Sequence, residues 1–249
     1  TVSQSVSVII ALISMKYRAS DIHIKKEDLH LQSQVFKHIL KVGFPVAIQD
    51  GCVQIAFMII TIIANSRGLN DAAAVGIVEK MVTAIFIIPS TMLATVSALS
   101  AQNIGAKNYG RARTVLKYAV MITTLYGIIV ALIVEYAAPT LLGLFTKDTT
   151  VILLGVQYIS SYIMDTIFAG IHFCFSGYFA ADGKSYIGFI HNIISISLVR
   201  VPVSYIASHM YPHNLFPMGL AAPLGSLLSV IICLIAYRIL KKKDELSVL

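Results

Sequence analysis

The chain has 249 residues, of which 57% are hydrophobic and only 12% are charged. Soluble domains carry roughly 25% charged residues, so this composition excludes an ordinary soluble protein and indicates a protein embedded in a bilayer. The formal net charge of +7 is therefore interpreted by where the basic residues lie relative to the membrane spans. It does not indicate a nucleic-acid partner.

Two segments precede the long apolar runs. Residues 1–15 are apolar but shorter than the about 20 residues that cross a bilayer, and they lack the basic start and cleavage site of a signal peptide. We expect them to be the end of a truncated transmembrane helix. Residues 16–42 are polar and charged and end in the amphipathic pattern LHLQSQVFKHIL. They predict a cytoplasmic linker that lies on the membrane surface.

Residues 43–240 contain apolar runs long enough to cross a bilayer, followed by a tail at 241–249. The spans must be helical, because backbone groups in lipid need partners within the same segment. The prediction is an all-α polytopic membrane protein with a six-helix transmembrane bundle. We place its spans near 43–66, 78–101, 115–136, 151–179, 186–208 and 217–239.

The basic residues are distributed unevenly between the two sides of this bundle. With six spans, 15 of the 19 Lys and Arg residues fall on one side, which the positive-inside rule places in the cytoplasm. The linker and the C-terminus are then cytoplasmic. The prediction is a multi-pass protein of the plasma (inner) membrane.

Two ionisable residues share one face of the fourth predicted span. Asp165 and His172 are seven residues apart, which separates them by about 10 Å along a helix axis. Such a pair on a wet face is a candidate for proton or cation coupling. The alternative is a hydrogen bond between helices that only stabilises the bundle. Tyr158 and Tyr162 lie on the same side and are predicted to line a substrate cavity.

The first full span carries a polar stripe. Asp50, Gln54 and Thr61 fall within about 60° of one another around the helix, and Gln49 lies beside them. A carboxylate that faces lipid costs about 2.5–3.5 kcal/mol, so the stripe should face the bundle interior or a water-filled cavity. We predict Asp50 as a further coupling residue, and Gln49, Gln54 and Thr61 as part of the substrate cavity.

Arg200 lies inside the fifth predicted span. An arginine within a membrane usually has a partner, and the candidates are Asp165, Asp50 or an acid outside this sequence. Two interpretations stay open, a structural ion pair and a place in the substrate cavity.

No pattern indicates an enzyme or a metal site. Cys52, Cys174 and Cys233 fall in apolar runs without a CxxC or Cys/His spacing. The sequence also lacks a glycine-rich phosphate loop, GxSxG and HExxH. We therefore expect no enzymatic activity, no bound metal, and no cofactor other than a coupling ion.

Several stretches resemble one transporter family. SALSAQNIGAKNYGRARTVLKYAV contains Gln102 and Asn103 in a Gln-Asn-x-Gly-Ala pattern that is followed by Arg-Ala-Arg. It resembles a cytoplasmic loop of the multidrug and toxic compound extrusion (MATE) family. Other stretches resemble the seventh, tenth, eleventh and twelfth helices of that family, in order KVGFPVAIQDG at 41–51, FSGYFAADGKS at 175–185, LVRVPVSY at 198–205 and GLAAPLGSLLS at 219–229.

This resemblance implies the carboxyl-terminal lobe, helices 7–12 plus the end of helix 6, of a twelve-helix transporter. It implies a secondary active antiporter that exports cationic amphipathic compounds in exchange for Na⁺ or H⁺ by alternating access of two lobes. Its partners would be a small cationic substrate, the lipid bilayer and the amino-terminal lobe. Family members carry acids in helices seven and ten; Asp50 lies one turn before the first of these positions, and Asp165 lies in the helix of the second.

Two other functions are compatible with a membrane bundle of this kind. One is a flippase for lipid-linked precursors from the same superfamily, in which a more basic cavity is expected. The other is a membrane scaffold subunit that transports nothing.

Overall fold

A computed structural model describes residues 2–17 and 32–246. These residues are helical apart from short connections, and no strand occurs among them. The helices are α1 (Val2–Tyr17), α2 (Ser33–Arg67), α3 (Leu69–Ile85), α4 (Ile87–Gly105), α5 (Tyr109–Gly143), α6 (Thr149–Tyr162), α7 (Asp165–Ala181), α8 (Tyr186–Ser195), the π-helical segment Ile196–Arg200, α9 (Val201–Met210), α10 (Phe216–Gly219) and α11 (Ala221–Leu246).

The chain divides after Ile39 into two units. The first unit contains α1, on which Val6, Val8 and Ile9 are exposed. Of the predicted linker, residues 18–31 lie outside the described residues, and α2 begins at Ser33. Residues 247–249 of the predicted tail also lie outside them.

The second unit, from Leu40 onward, forms the membrane bundle. Within the described residues, five helical segments are long and apolar enough to cross a bilayer, and α6 with α7 forms a sixth span that bends by 43°. The outer face of α5 exposes Leu125, Leu132 and Tyr136, as expected for side chains that contact lipid. The prediction of an all-α membrane bundle is confirmed, with five spans among the described residues and a sixth when α6 and α7 are counted as one.

Four of the predicted span boundaries differ from the structure by more than five residues. The helix of the first span begins at Ser33 instead of near 43, and the third begins at Tyr109 instead of near 115. The second span begins at Leu69 instead of near residue 78, and the third continues to Gly143 instead of ending near 136.

Glu79 and Lys80 therefore lie within α3, where Lys80 is exposed and Glu79 is partly buried. They lie in a helix because α3 packs one apolar face, including Val75 and Val78, into the core beside α6.

Two apolar clusters stabilise the bundle. One includes Val78 of α3 and Ile159 and Ile163 near the end of α6. The other includes Cys174 and Phe179 of α7, together with side chains of α4, α5 and α11. Along the fourth span, the first cluster ends at Ile163 and the second begins at Cys174. The stretch between them carries the buried polar side chains of Asp165, Thr166 and His172.

Helix α7 lies at the centre and packs against α4, α5, α8 and α11. Gly177 lies so close to the backbone carbonyl of Leu93 on α4 that no Cβ atom would fit between them. A Cβ atom at Gly170 would lie only 2.9 Å from the Cβ atom of Thr123 on α5. Small residues allow membrane helices to approach in this way. The close packing positions the remaining faces of α7 toward α8 and α11.

Candidate functional site

The fourth span is broken near its middle. Helix α6 ends at Tyr162 and α7 begins at Asp165, with two tight backbone hydrogen bonds at the break, from Thr166 N–H to the Ile163 carbonyl at 3.0 Å and from Ile167 N–H to the Met164 carbonyl at 3.2 Å. The break places Asp165 in the first turn of a helix inside the membrane. The helix dipole favours a negative charge at that position.

A cavity of about 70 Å³ lies beside this break. It has room for a few water molecules. Aromatic rings and small polar side chains line it along with three ionisable residues: Val53, Phe57, Phe86, Asp165, Ala169, His172, Phe173, Asn192, Ser195, Ile196, Arg200, Ser226 and Ser229.

Asp165 is the acid of the cavity and is only 1% exposed. Among the described residues, no side chain donates a well-aligned hydrogen bond to either carboxylate oxygen. The polar groups that influence it are the Ser226 hydroxyl and the guanidinium of Arg200. A buried carboxylate with open lone pairs is expensive unless a cation, a proton or water satisfies it. Asp165 therefore has the chemistry of an exchangeable cation-binding group.

Arg200 reaches the same cavity from the fifth span. Its Nη2 atom donates a hydrogen bond to the Tyr162 hydroxyl, and its guanidinium carbon lies 4.9 Å from the ring centre of Phe57. It also interacts electrostatically with Asp165 and Glu79. Of the partners expected from the sequence, Asp165 lies within this environment, and Tyr162 and Glu79 are partners that the sequence did not indicate.

Glu79 of α3 is an acid that the sequence analysis missed. Its Oε2 atom lies 3.4 Å from the Thr61 hydroxyl, whose one proton also has the Phe57 carbonyl as an acceptor at 2.9 Å. Its buried Oε1 atom has no partner. The sequence signal for it is an isolated acidic residue at the start of the predicted second span, in an otherwise apolar segment.

A second polar cluster adjoins the cavity through His172. The ring centre of His172 lies 5.4 Å from that of His191 on α8, and the Nε2 atom of His191 lies 2.9 Å from the Ser176 hydroxyl. Gln49 of α2 is buried nearby, since a Cβ atom at Gly188 would lie 3.1 Å from its Oε1 atom. His191 is fully buried and was not predicted as a site residue.

The structure brings together most of the predicted site residues, but not all of them. Asp165, His172 and Arg200 line the cavity. Four more lie around it: Tyr162 at Arg200, Tyr158 with its ring 5.6 Å from that of Tyr162, Thr61 at Glu79, and Gln49 in the histidine cluster. Asp50 and Gln54 are exposed on α2 and are not among the residues that line the cavity.

The described residues contain no group of three His, Cys, Asp or Glu side chains that could hold a metal ion. The polar atoms around the cavity are instead carboxylate, hydroxyl, amide, imidazole and guanidinium groups spread over several helices. Such a set suits exchangeable small cations and water.

Comparison with known families and proteins gives consistent matches. The MatE family model matches residues 45–206. A probable multidrug resistance protein of Bacillus subtilis (strain 168), YoeA, is 20% identical over 219 residues, which cover 88% of this chain and 47% of that protein.

Solved structures of MATE transporters share the fold. A MATE structure in complex with MaL6 superposes with a TM-score of 0.85 at 19% identity, over 94% of this chain and 53% of that one. A variant of the Vibrio cholerae MATE transporter VcmN gives a TM-score of 0.84 at 17% identity, over 95% of this chain and 53% of that one. The chain thus spans about half the length of the relatives it matches.

Proposed function

Because the chain belongs to the MatE family, we propose that it acts as the carboxyl-terminal lobe of a secondary active antiporter. The whole transporter exports cationic amphipathic compounds in exchange for Na⁺ or H⁺. An amino-terminal lobe is the expected partner, since relatives are about twice as long as this chain. The distribution of Lys and Arg residues supports a plasma-membrane protein with the linker and C-terminus in the cytoplasm.

One observation carries this proposal: a buried carboxylate with unsatisfied oxygens lies at a helix break inside the membrane. Asp165 begins α7 and lines a polar cavity. Broken membrane helices that place polar groups near the middle of the bilayer are typical of secondary transporters. An ionisable residue at that depth is a functional candidate by default.

The break also supplies a mechanism for coupling. Binding of a proton or cation to Asp165 removes an isolated buried charge, which changes the energy of the conformation in which that carboxylate is enclosed. The 43° bend between α6 and α7 is a natural point for a change in helix direction. An ion that binds one conformation more tightly shifts the balance between inward-open and outward-open states.

The other predicted site residues take supporting roles in this proposal. His172 extends the polar face of α7. Four further residues surround the coupling site: Tyr158, Tyr162, Gln49 and Thr61. Asp50 and Gln54 lie on the exposed face of α2, where they are available to a cationic substrate outside the cavity. Asp50 is therefore a secondary acid in this account, and Asp165 is the coupling residue.

The charge of the cavity argues against a lipid-linked precursor as substrate. Such anionic substrates call for several basic side chains, and Arg200 is the one Arg or Lys among the residues that line the cavity. A scaffold that transports nothing does not require a buried, unsatisfied carboxylate, and the carboxylate of Asp165 is costly to bury.

The proposal is tested with the full-length transporter reconstituted in proteoliposomes. Export of tetraphenylphosphonium is measured under an imposed Na⁺ gradient and, separately, under a pH gradient. We expect gradient-driven export by the wild type and its loss in Asp165→Asn, while Glu135→Gln on the exposed face of α5 keeps it. Equal export by the wild type and Asp165→Asn would refute the coupling role. Absence of export by folded wild-type protein would refute the transport function.

A further inference from the structure

Arg200 ends a π-helical segment of the fifth span. The segment Ile196–Arg200 is closed by the backbone N–H of Val201, which donates to the carbonyl of Ile196 five residues earlier. Pro202 follows directly and has no N–H to donate. Widened turns of this kind are frequent at functional sites, because the extra residue changes which side chains face the bundle. Here the side chain that faces the cavity is that of Arg200.

The contacts that hold Arg200 are not carboxylates. The Tyr162 hydroxyl accepts a hydrogen bond from Nη2, and the ring of Phe57 lies under the guanidinium group, where a cation is favoured. Among the described residues, no ion pair of 4.0 Å or less joins Arg200 to an acid. Asp165 lines the same cavity as Arg200. Thr61, which lies beside Glu79, is one helical turn from the Phe57 ring under the guanidinium group, so the charge of Arg200 acts at somewhat longer range on both acids.

Both acids are incompletely satisfied. The two oxygens of Asp165 have no well-aligned hydrogen bond, although the Ser226 hydroxyl approaches them, and one oxygen of Glu79 has no partner. The other oxygen of Glu79 lies 3.4 Å from the Thr61 hydroxyl. Two buried negative charges that share one positive charge are unstable in a medium of low dielectric constant. The arrangement is therefore incomplete without one more positive charge.

Two carboxylates and one guanidinium are electrically neutral when one of the carboxylates carries a proton or another monovalent cation. We infer that Asp165, Glu79 and Arg200 form one charge triad, in which Arg200 neutralises one carboxylate and leaves a single negative charge to bind one monovalent cation. Glu79 is then a second acid of the coupling site, although it belongs to α3 and not to the broken span. The identity of that cation as the exchanged ion or substrate rests on the proposed function.

The groups packed around the triad leave this charge count unchanged. The other titratable side chains that face it are Tyr158 and Tyr162 of α6 and His172 of α7. Helices α2 and α11 present the hydroxyls of Thr61 and Ser226, which do not titrate in this range. At neutral pH the tyrosine hydroxyls carry no negative charge, and the imidazoles of His172 and of His191 beside it are mostly neutral, so none of these groups changes the count.

The test is a set of charge-balanced variants of the full-length transporter in nanodiscs, with binding of tritiated tetraphenylphosphonium as the readout. This cation is too large for the cavity of about 70 Å³ and reports the net charge of the triad from outside it. Glu79→Gln leaves Asp165 neutralised by Arg200, so we expect the affinity to fall about tenfold or more. The double variant Glu79→Gln with Arg200→Gln also removes the positive charge of Arg200, and it should restore the affinity to within about threefold of the wild type. Glu79→Gln with Arg200→Lys keeps the positive charge and should not restore it.

The controls separate a charge effect from a folding effect. Glu135→Gln removes an exposed acid of α5 and should bind like the wild type. Wild-type affinity in Glu79→Gln would overturn the triad. So would a folded double variant that binds no better than Glu79→Gln. If the double variant does not fold, the comparison of Glu79→Gln with Glu135→Gln still decides the outcome.

A second readout is independent of the substrate. The triad holds one proton in the absence of other cations, so the infrared spectrum of the wild type should contain one buried protonated carboxyl that is lost in both Glu79→Gln and Asp165→Asn. The double variant Glu79→Gln with Arg200→Gln should regain it. If wild-type protein binds no tetraphenylphosphonium, the proposed transport function fails and the infrared result alone decides the triad. An unchanged spectrum in both single variants would refute it.

Discussion

The hydroxyl of Tyr126 on α5 donates a hydrogen bond of 2.8 Å to the backbone carbonyl of Ile85, the last residue of α3. In an uninterrupted helix that carbonyl would accept from the N–H four residues later, which is the position of Pro89. Proline has no N–H, so the second span would leave a carbonyl unsatisfied. Tyr126 replaces the missing donor and joins the bend at Phe86 to α5.

Tyr126→Phe should therefore destabilise the bundle. The variant leaves the Ile85 carbonyl without a donor in the membrane interior, at a cost of about 1–2 kcal/mol. We expect a lower unfolding midpoint in a thermal assay that follows the reaction of a fluorescent thiol reagent with Cys174 and Cys233, both fully buried. Tyr118→Phe, which removes an exposed hydroxyl from the same helix, is the matched control. Equal midpoints for the two variants would show that the hydrogen bond contributes nothing.

The Arg67 side chain joins the end of α2 to the end of α9 through several hydrogen bonds, and we expect it to stabilise the bundle. Its Nε atom lies 2.6 Å from Asp71, and its terminal nitrogens donate to the carbonyls of Ser208, Tyr211 and Pro212 at 2.8, 3.1 and 2.9 Å. Arg67→Ala removes all of these hydrogen bonds, and we expect a loss of about 2–3 kcal/mol of stability.

Arg67→Lys separates the contribution of the planar guanidinium hydrogen bonds from that of the positive charge alone. Lysine cannot reproduce several planar hydrogen bonds at once, so the same thermal assay should recover less than half of the loss. Lys80→Ala, at an exposed position of α3, should unfold like the wild type. Full recovery by lysine would mean that only the ion pair with Asp71 matters.

Gly177→Ala should disturb the packing of α7 on α4. The added Cβ atom would overlap the Leu93 carbonyl, which belongs to the backbone and cannot rotate away. The two helices must separate, at a cost of about 1–3 kcal/mol. Gly76→Ala is the control, because no atom lies within 4 Å of its Cβ position, and there we expect unchanged or slightly higher stability. Similar yields and unfolding midpoints for the two variants would contradict the close approach.

Much of the architecture could be predicted because membrane spans are set by length and polarity. The number of spans, and the location of Asp165 and His172 on one side of the same cavity, follow from apolar run length and from the helical period. Asp50 lies in the predicted helix, but helical period alone could not tell that its face is exposed in this lobe. That depends on which neighbours pack against α2.

The features that could not be predicted arise from contacts between helices distant in sequence. No proline marks the break at Ile163–Met164, so its position depends on the packing of α6 and α7 against different partners. Glu79 lies at the predicted start of the second span, and the sequence did not show that α3 begins at Leu69 and carries this acid into the bundle. The pairing of Arg200 with Tyr162 depends on a π-helical segment that the sequence did not indicate.

The central claim is that Asp165 binds the coupling ion in competition with the substrate. The most direct test is equilibrium binding of tetraphenylphosphonium to the full-length transporter in nanodiscs, titrated with Na⁺ at fixed pH and with protons at fixed Na⁺. Because linkage between two ligands is reciprocal, the wild type should lose substrate affinity as the coupling ion is added, and Asp165→Asn should bind with an affinity that no longer depends on that ion. An equal dependence on the ion in Asp165→Asn would contradict the account.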